Sequence, residues 1–73
     1  MFDHDASQRI VLGLLLDAHP RLLGLDELEA QLPDVPRVRE ALRVLLEDGL
    51  ATRLGDRVGV SRAAVRFDAL KPV

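Results

Sequence analysis

The residues of this chain that could bind a ligand are mainly arginines, and they are concentrated in its second half. Residues 1–34 hold two basic and seven acidic residues, a formal charge of −5, whereas residues 35–73 hold eight basic and five acidic residues, a charge of +3. The overall charge of −2 hides this asymmetry. A basic segment is typical of a surface that meets an anionic partner, so the candidate binding residues lie in the second half.

Arg39 and Arg43 lie four residues apart, which places both on one side of a helix. Two like charges at this spacing repel each other, and the approach of an anion such as a phosphate would relieve the repulsion. The alternative is an ordinary solvated helix face, because Glu40 and Glu47 lie three and four residues from Arg43 and can pair with it. The spacing alone leaves both interpretations open.

Other reactive side chains do not form a recognisable site. His4 stands between two aspartates and could join a metal site, but the only other histidine is His19 and no ligand spacing recurs. Ser7 and Ser61 lack the flanking glycines of a nucleophile motif, and the chain has neither a cysteine nor a glycine-rich phosphate loop. We therefore expect no enzymatic activity, no metal and no cofactor.

The apolar composition predicts a small helical domain with some sheet. Of the 73 residues 48% are apolar but only 3% are aromatic, so the core must be built from Leu, Val and Ala. The longest run without a polar side chain, residues 10–16, is far shorter than the roughly 20 residues that a membrane span needs. No signal-peptide pattern precedes it, and we expect a cytoplasmic protein.

Hydrophobic periodicity and turn residues predict four helices and a β-hairpin. The helices are expected at about residues 6–18, 26–32, 35–48 and 62–70, and the strands at about residues 50–54 and 58–60. Residues 22–25 are interpreted as an apolar link. The predicted caps are Asp26, Asp34 and Ser61 at helix N-termini, with Pro36 in a first turn, and Gly49 as a left-handed C-terminal cap.

The third predicted helix and the hairpin that follows it carry a distinctive pattern. Its residues are Val38, Leu42, Leu45, Gly49, Leu50, Ala51, Gly55, Asp56, Arg57 and Ser61. This pattern resembles the winged helix-turn-helix superfamily of bacterial and archaeal transcription regulators, and the resemblance extends over residues 9–70. It implies a mainly α, α+β fold in which residues 1–73 form one domain. That domain has a three-helix core, a two- or three-stranded β-wing and a short C-terminal helix.

The resemblance also implies a function. In DNA-binding members of the superfamily the third helix enters the major groove, and the wing contacts phosphates or the minor groove. An arginine suits this role, because it binds guanine O6 and N7 through two hydrogen bonds. The implied DNA-binding residues are Arg37, Arg39 and Arg43 on the third helix, Arg57 in the wing, and Arg53 and Arg62 as phosphate contacts only.

Two functions follow as hypotheses. The first is the DNA-binding domain of a small transcription regulator that binds double-stranded DNA. Its affinity is expected to be modest, because Glu40 stands where a basic or polar residue is common in DNA-binding relatives. The second is a winged-helix protein-interaction module without DNA binding, since the superfamily also includes such members.

Apolar residues outside the predicted core indicate an interface, either in a homodimer or with a partner protein. The predicted interface residues are Leu12 and Leu16 on the first helix and Val44 and Leu46 on the third. The alternative is that Met1, Phe2, Phe67 and Leu70 fold back and cover them within the monomer. A two-fold dimer with its third helices about one DNA turn apart would bind a pseudo-palindromic site.

Overall fold

The computed structural model describes the backbone of residues 4–70 and the side chains of residues 6–70. Within this range the chain forms four helices and one three-stranded antiparallel sheet, which confirms an α+β fold. None of these four helices is long and apolar enough to cross a membrane. The elements are α1 (His4–Ala18), β1 (Leu23–Gly24), α2 (Leu25–Gln31), α3 (Val38–Glu47), β2 (Ala51–Leu54), β3 (Arg57–Val60) and α4 (Arg62–Ala69).

β3 is the central strand of the sheet and lies between β1 and β2. Val58 on β3 pairs with Leu23 on one side and with Arg53 on the other. Val58 and Leu23 are buried, so this face of the sheet points into the core. On the other face Leu22 packs directly over Gly59, where the Cβ of any larger residue would collide with the leucine side chain. Leu22 occupies the space that a Cβ at residue 59 would need, and the glycine leaves that space free.

Aliphatic side chains from the helices and the sheet form the core. The nearly all-round apolar character of α1 predicts cover on two sides, and α1 indeed packs against both α3 and β3. The largest fully buried side chains are Val11, Leu15, Leu23 and Leu28. The buried residues of α3 are Val38, Ala41, Leu42 and Leu45, which confirms the predicted inward face.

Two predicted caps are confirmed. After α3, Gly49 has a left-handed φ of 78°, and the N–H groups of Gly49 and Leu50 donate to carbonyls of the last turn at 3.2 and 2.9 Å. These two bonds are the Schellman pattern, which satisfies the free carbonyls at a helix end. Before α4, the Ser61 hydroxyl oxygen accepts a hydrogen bond from the Ala64 N–H at 3.1 Å.

The predicted start of the third helix at Val35 is wrong, and so are its predicted cap Asp34 and the helical position of Pro36. α3 begins at Val38, and its N-cap is Arg37, which has a left-handed φ of 56° and makes no side-chain cap hydrogen bond. Val35 precedes a proline, and a residue in that position avoids the helical region of φ/ψ space. The segment before Val38 is therefore a turn.

The predicted link at residues 22–25 is also wrong, because it contains β1 and the first residue of α2. The N-cap of α2 is Gly24 and not Asp26, so no side chain caps this helix. Asp26 and Glu27 lie instead in the first turn, where negative charge interacts favourably with the helix dipole. A strand of two residues is too short to produce a periodic pattern in the sequence.

The C-terminal helix does not cover the apolar surface of the other helices. Phe67 is 70% exposed and Leu70 is 73% exposed. The alternative in which these two residues fold back over the predicted interface is therefore wrong, whereas Met1 and Phe2 lie outside the described residues. α4 is held through the buried Ala64 and the half-buried Val65.

Candidate nucleic-acid interface

Arg39 is exposed on α3 but is bound to α2. Its Nε and Nη2 donate to Oε2 and Oε1 of Glu29 at 3.0 and 2.9 Å, and Nη2 also lies 3.8 Å from Oδ1 of Asp26. The hydrogen bonds from Arg39 hold the pKa of the Glu29 carboxyl below its ordinary value, and the same bonds raise the pKa of Arg39. The two parallel bonds fix the orientation of the guanidinium plane.

The other two arginines predicted to read bases also lie near carboxylates. Nη1 of Arg43 is 3.0 Å from Oε1 of Glu47, a pair that the four-residue spacing predicts. Nη1 of Arg37 is 3.9 Å from Oε2 of Glu40, so Glu40 lies beside Arg37 and not beside Arg43. Both arginine side chains remain 64% exposed, so an anion from solution can reach them.

The two arginines of the β2–β3 hairpin lie on opposite faces of it. Arg53 is paired with Val58, and Leu54 is paired with Arg57; directly paired residues project from the same face. Arg53 therefore shares a face with the buried Val58 and borders a shallow hollow together with Leu46 of α3. Arg57 projects from the other face, beside the exposed Leu54. The structure thus brings Arg53, and not Arg57, next to α3.

Arg39, Arg43 and Arg53 lie along one flank of α3, which we call the arginine flank. Leu46 follows Arg39 by seven residues and Arg43 by three, spacings that place all three on the same side of a helix. Leu46 in turn borders the hollow with Arg53, whose Nε donates to the Gly55 carbonyl at 2.7 Å. Arg62 follows the end of β3 that is remote from the hairpin turn and does not join this group.

The surface around the arginine flank is not strongly basic. Residues 25–60, which contain α2, α3 and the hairpin, hold five arginines and eight acidic residues. The positive charge of the second half of the sequence comes largely from Arg62, Arg66 and Lys71, which lie beyond the hairpin. Any anionic ligand at α3 would therefore meet individual arginines among carboxylates, and not a continuous positive field.

The four predicted interface residues are all half-buried, but they do not border one common hollow. Leu12 and Leu16 border a hollow along α1, whereas Leu46 borders the hollow at the hairpin. Val44 and Leu46 are two residues apart on α3, and residues at that spacing do not face the same way. The structure brings Leu12 and Leu16 together, but it does not join them to the two residues of α3.

Sequence reasoning missed two arrangements. The partner of Arg39 is Glu29, ten residues away on another helix, and no local spacing indicates such a pair. On α1, Arg9, Gly13 and Asp17 follow one another at four-residue intervals along the hollow that Leu12 and Leu16 also border. The four-residue spacing is visible in the sequence and could have indicated that these three residues share one side of α1.

Among the side chains of residues 6–70, no group of three His, Asp or Glu residues is placed to hold a metal. His4 and its flanking aspartates lie outside the described side chains. The chain matches no protein-family model, no curated protein and no solved structure.

Proposed function

We propose that this chain is a winged helix-turn-helix DNA-binding domain that acts as a small transcription regulator. In this arrangement α3 lies in the major groove of double-stranded DNA, and the β2–β3 hairpin is the wing that contacts the phosphate backbone. We also propose a cytoplasmic location, because a regulator of this class needs access to chromosomal DNA.

The observation that carries this proposal is the arginine flank. Arg39 and Arg43 stand on an exposed helix side and have the side-chain chemistry that binds guanine edges. Arg53 stands beside them on the hairpin, where it can contact a neighbouring phosphate. Arg37, the N-cap of the same helix, is assigned a base contact, while Arg57 and Arg62 are assigned phosphate contacts outside the flank.

The ion pairs at α3 lower the expected affinity but do not block binding. Exposed ion pairs contribute little net stability, so DNA phosphates can compete with Glu29 and Glu47 for the arginines. The carboxylates nevertheless repel the DNA backbone when the arginines turn away from them. We therefore expect modest binding that is strongest at low salt.

A second candidate function is a protein-interaction module that does not bind DNA. Each of the three arginines predicted to read bases has a carboxylate oxygen at 2.9 to 3.9 Å, so none of them needs an external anion. Phe67 on α4 and Leu70 directly after the helix are exposed and could meet an apolar partner surface. In this case the arginines serve the solubility of the domain.

Fluorescence anisotropy with a labelled random-sequence duplex separates the two functions. The three assigned phosphate contacts, Arg53, Arg57 and Arg62, predict that log affinity falls against log salt concentration with a slope of about −3, roughly one unit for each phosphate neutralised. The variant Arg39→Gln/Arg43→Gln should lose about tenfold or more in affinity for this duplex, because it removes two positive charges that lie against the DNA in the proposed arrangement. In an NMR titration with the same duplex, the amide chemical shifts that change should belong to residues 36–44 and 54–59.

The matched control is Arg21→Gln/Arg66→Gln, which removes the same charge from residues outside α3 and the hairpin. If both double variants lose affinity equally, binding reflects only net charge, and the proposed interface is wrong. Amide shifts confined to α1 would also contradict it. If the chain does not bind the duplex at low salt, the DNA-binding function is wrong and the protein-interaction module is favoured.

A further inference from the structure

The outer side of α1 carries a self-complementary pattern of charge. Arg9, Gly13 and Asp17 lie at four-residue intervals and border one shallow hollow. Gly13 is halfway between the two charges. A two-fold axis that passes through Gly13 and reverses the direction of the helix therefore exchanges the position of Arg9 with that of Asp17. The same two-fold rotation exchanges the position of Ile10, which is 38% exposed, with that of the half-buried Leu16.

The fold of the monomer does not explain Gly13. A Cβ added at this position would meet no atom within 4 Å, so neither packing nor a close backbone approach excludes a larger residue. Glycine in a helix interior is less favourable than alanine because it loses more conformational freedom on folding. A bare backbone at the middle of the hollow does, however, allow a second helix to approach closely.

Arg9 and Asp17 also differ from the charged residues of α3. Arg37, Arg39 and Arg43 all lie near carboxylates, whereas Arg9 and Asp17 form no ion pair with any described residue. Both are exposed, and a second molecule can reach them. The third charged residue at this hollow is Asp68 of α4, which borders it without an ion pair to Arg9.

We propose that α1 binds α1 of a second copy of this chain, antiparallel, with the two-fold axis at Gly13. Each Arg9 then faces Asp17 of the second copy, and each Ile10 faces its Leu16. A two-fold interface makes every such contact twice, which gives two ion pairs and two apolar contacts around the glycine crossing. A parallel arrangement is excluded by charge, because it would place like charges opposite each other.

The dimer is expected to be weak. α1 has 15 residues, so the contact is roughly 22 Å long, and one pair of helices of this length buries less than the roughly 1,600 Å² that is typical of a stable interface. Dissociation in the micromolar range or above is therefore expected. The dimer does not depend on DNA binding and should form in its absence.

Charge reversal tests this arrangement by sedimentation velocity over a range of concentrations of the full chain. Arg9→Glu should weaken self-association about tenfold or more, because a carboxylate at residue 9 of each copy then faces Asp17 of the other copy. Asp17→Arg should weaken self-association by a similar factor, because an arginine at residue 17 of each copy then faces Arg9 of the other copy. An equimolar mixture of the two variants should associate again, since every charge then meets its opposite across the heterodimer.

Two controls make the test specific. Asp68→Asn should leave association within about twofold of the unchanged chain, which separates Asp17 from the other carboxylate at the hollow. Gly13→Ala should weaken the dimer yet raise the thermal midpoint of the dilute monomer, because alanine favours the helix. Circular dichroism checks that each variant folds.

Three results would overturn the proposal. The first is a chain that stays monomeric at millimolar concentration. The second is a mixture of Arg9→Glu and Asp17→Arg that associates no better than either variant alone. The third is an association that Gly13→Ala leaves unchanged.

Discussion

The Arg39 guanidinium binds the Glu29 carboxylate through two parallel hydrogen bonds and so joins the outer side of α3 to α2. The same arginine is a proposed reader of bases. Glu29 therefore has two effects on one side chain: it holds Arg39 in a defined orientation, and it competes with any phosphate for its N–H groups. The balance between these effects can be measured.

Glu29→Gln should increase DNA affinity severalfold at low salt. The substitution removes the carboxylate that competes for Arg39 and removes a negative charge from the proposed interface. Anisotropy with the random duplex measures the change. The matched control is Glu27→Gln, which makes the same charge change on α2 at a residue that lies 3.9 Å from Arg21. Equal effects of both variants would mean that Glu29 does not specifically restrain Arg39.

The Glu29 carboxyl should titrate below its ordinary pKa, and Arg39→Gln should move that pKa back towards the ordinary value. A carboxyl with a lowered pKa in the folded state stabilises the fold above its unfolded pKa, and this contribution is lost as the pH falls through the folded pKa. The stability difference between the unchanged chain and Arg39→Gln should therefore shrink in acid. Carbon-13 NMR of the carboxyl groups checks the pKa, and identical Glu29 titrations in both proteins would contradict the pair in solution.

The ends of the helices illustrate what could be predicted from sequence. Gly49 ends α3 through its own left-handed conformation, and Ser61 caps α4 through a residue three positions away. Both signals are local. The start of α3 depends in addition on the chain before it, where the Ser7 hydroxyl of α1 donates to the Pro36 carbonyl at 3.3 Å. A contact between residues so far apart in sequence is not visible in local periodicity.

The contacts of the candidate site are also of two kinds, local contacts within one helix and contacts between elements that are distant in sequence. The pair of Arg43 with Glu47 follows from helical spacing and was predictable. The bond between Arg39 and Glu29 requires the angle between two helices, and the position of Arg53 beside Leu46 requires the register of the hairpin. The exposure of the arginines could be predicted from the sequence, but their partners and their grouping depend on tertiary packing.

Gly49→Ala should destabilise the fold by about 1 kcal/mol, because a residue with a Cβ is strained in the left-handed region. No steric contact adds to this effect, since a Cβ at Gly49 would meet no atom within 4 Å. Gly49→Asn is the matched control, because asparagine also carries a Cβ but tolerates the left-handed region better than alanine and should lose less. Urea unfolding compares the two, and equal losses would show that the left-handed cap is not the cause.

Leu15→Ala should destabilise the fold by about 3 kcal/mol, because it leaves a cavity where a fully buried side chain packs between α1 and its neighbours. A domain of this size has a free energy of unfolding of roughly 4–10 kcal/mol, so the variant should still fold, with roughly 1–7 kcal/mol remaining. Leu54→Ala removes the same atoms from a side chain that is 71% exposed on the hairpin and should change stability little. Urea unfolding at low temperature, with a stabilising osmolyte if needed, measures both. A loss at Leu54 comparable to that at Leu15 would mean that the outer face of the hairpin is covered in solution, as it would be if the β2–β3 hairpin took part in self-association in place of α1.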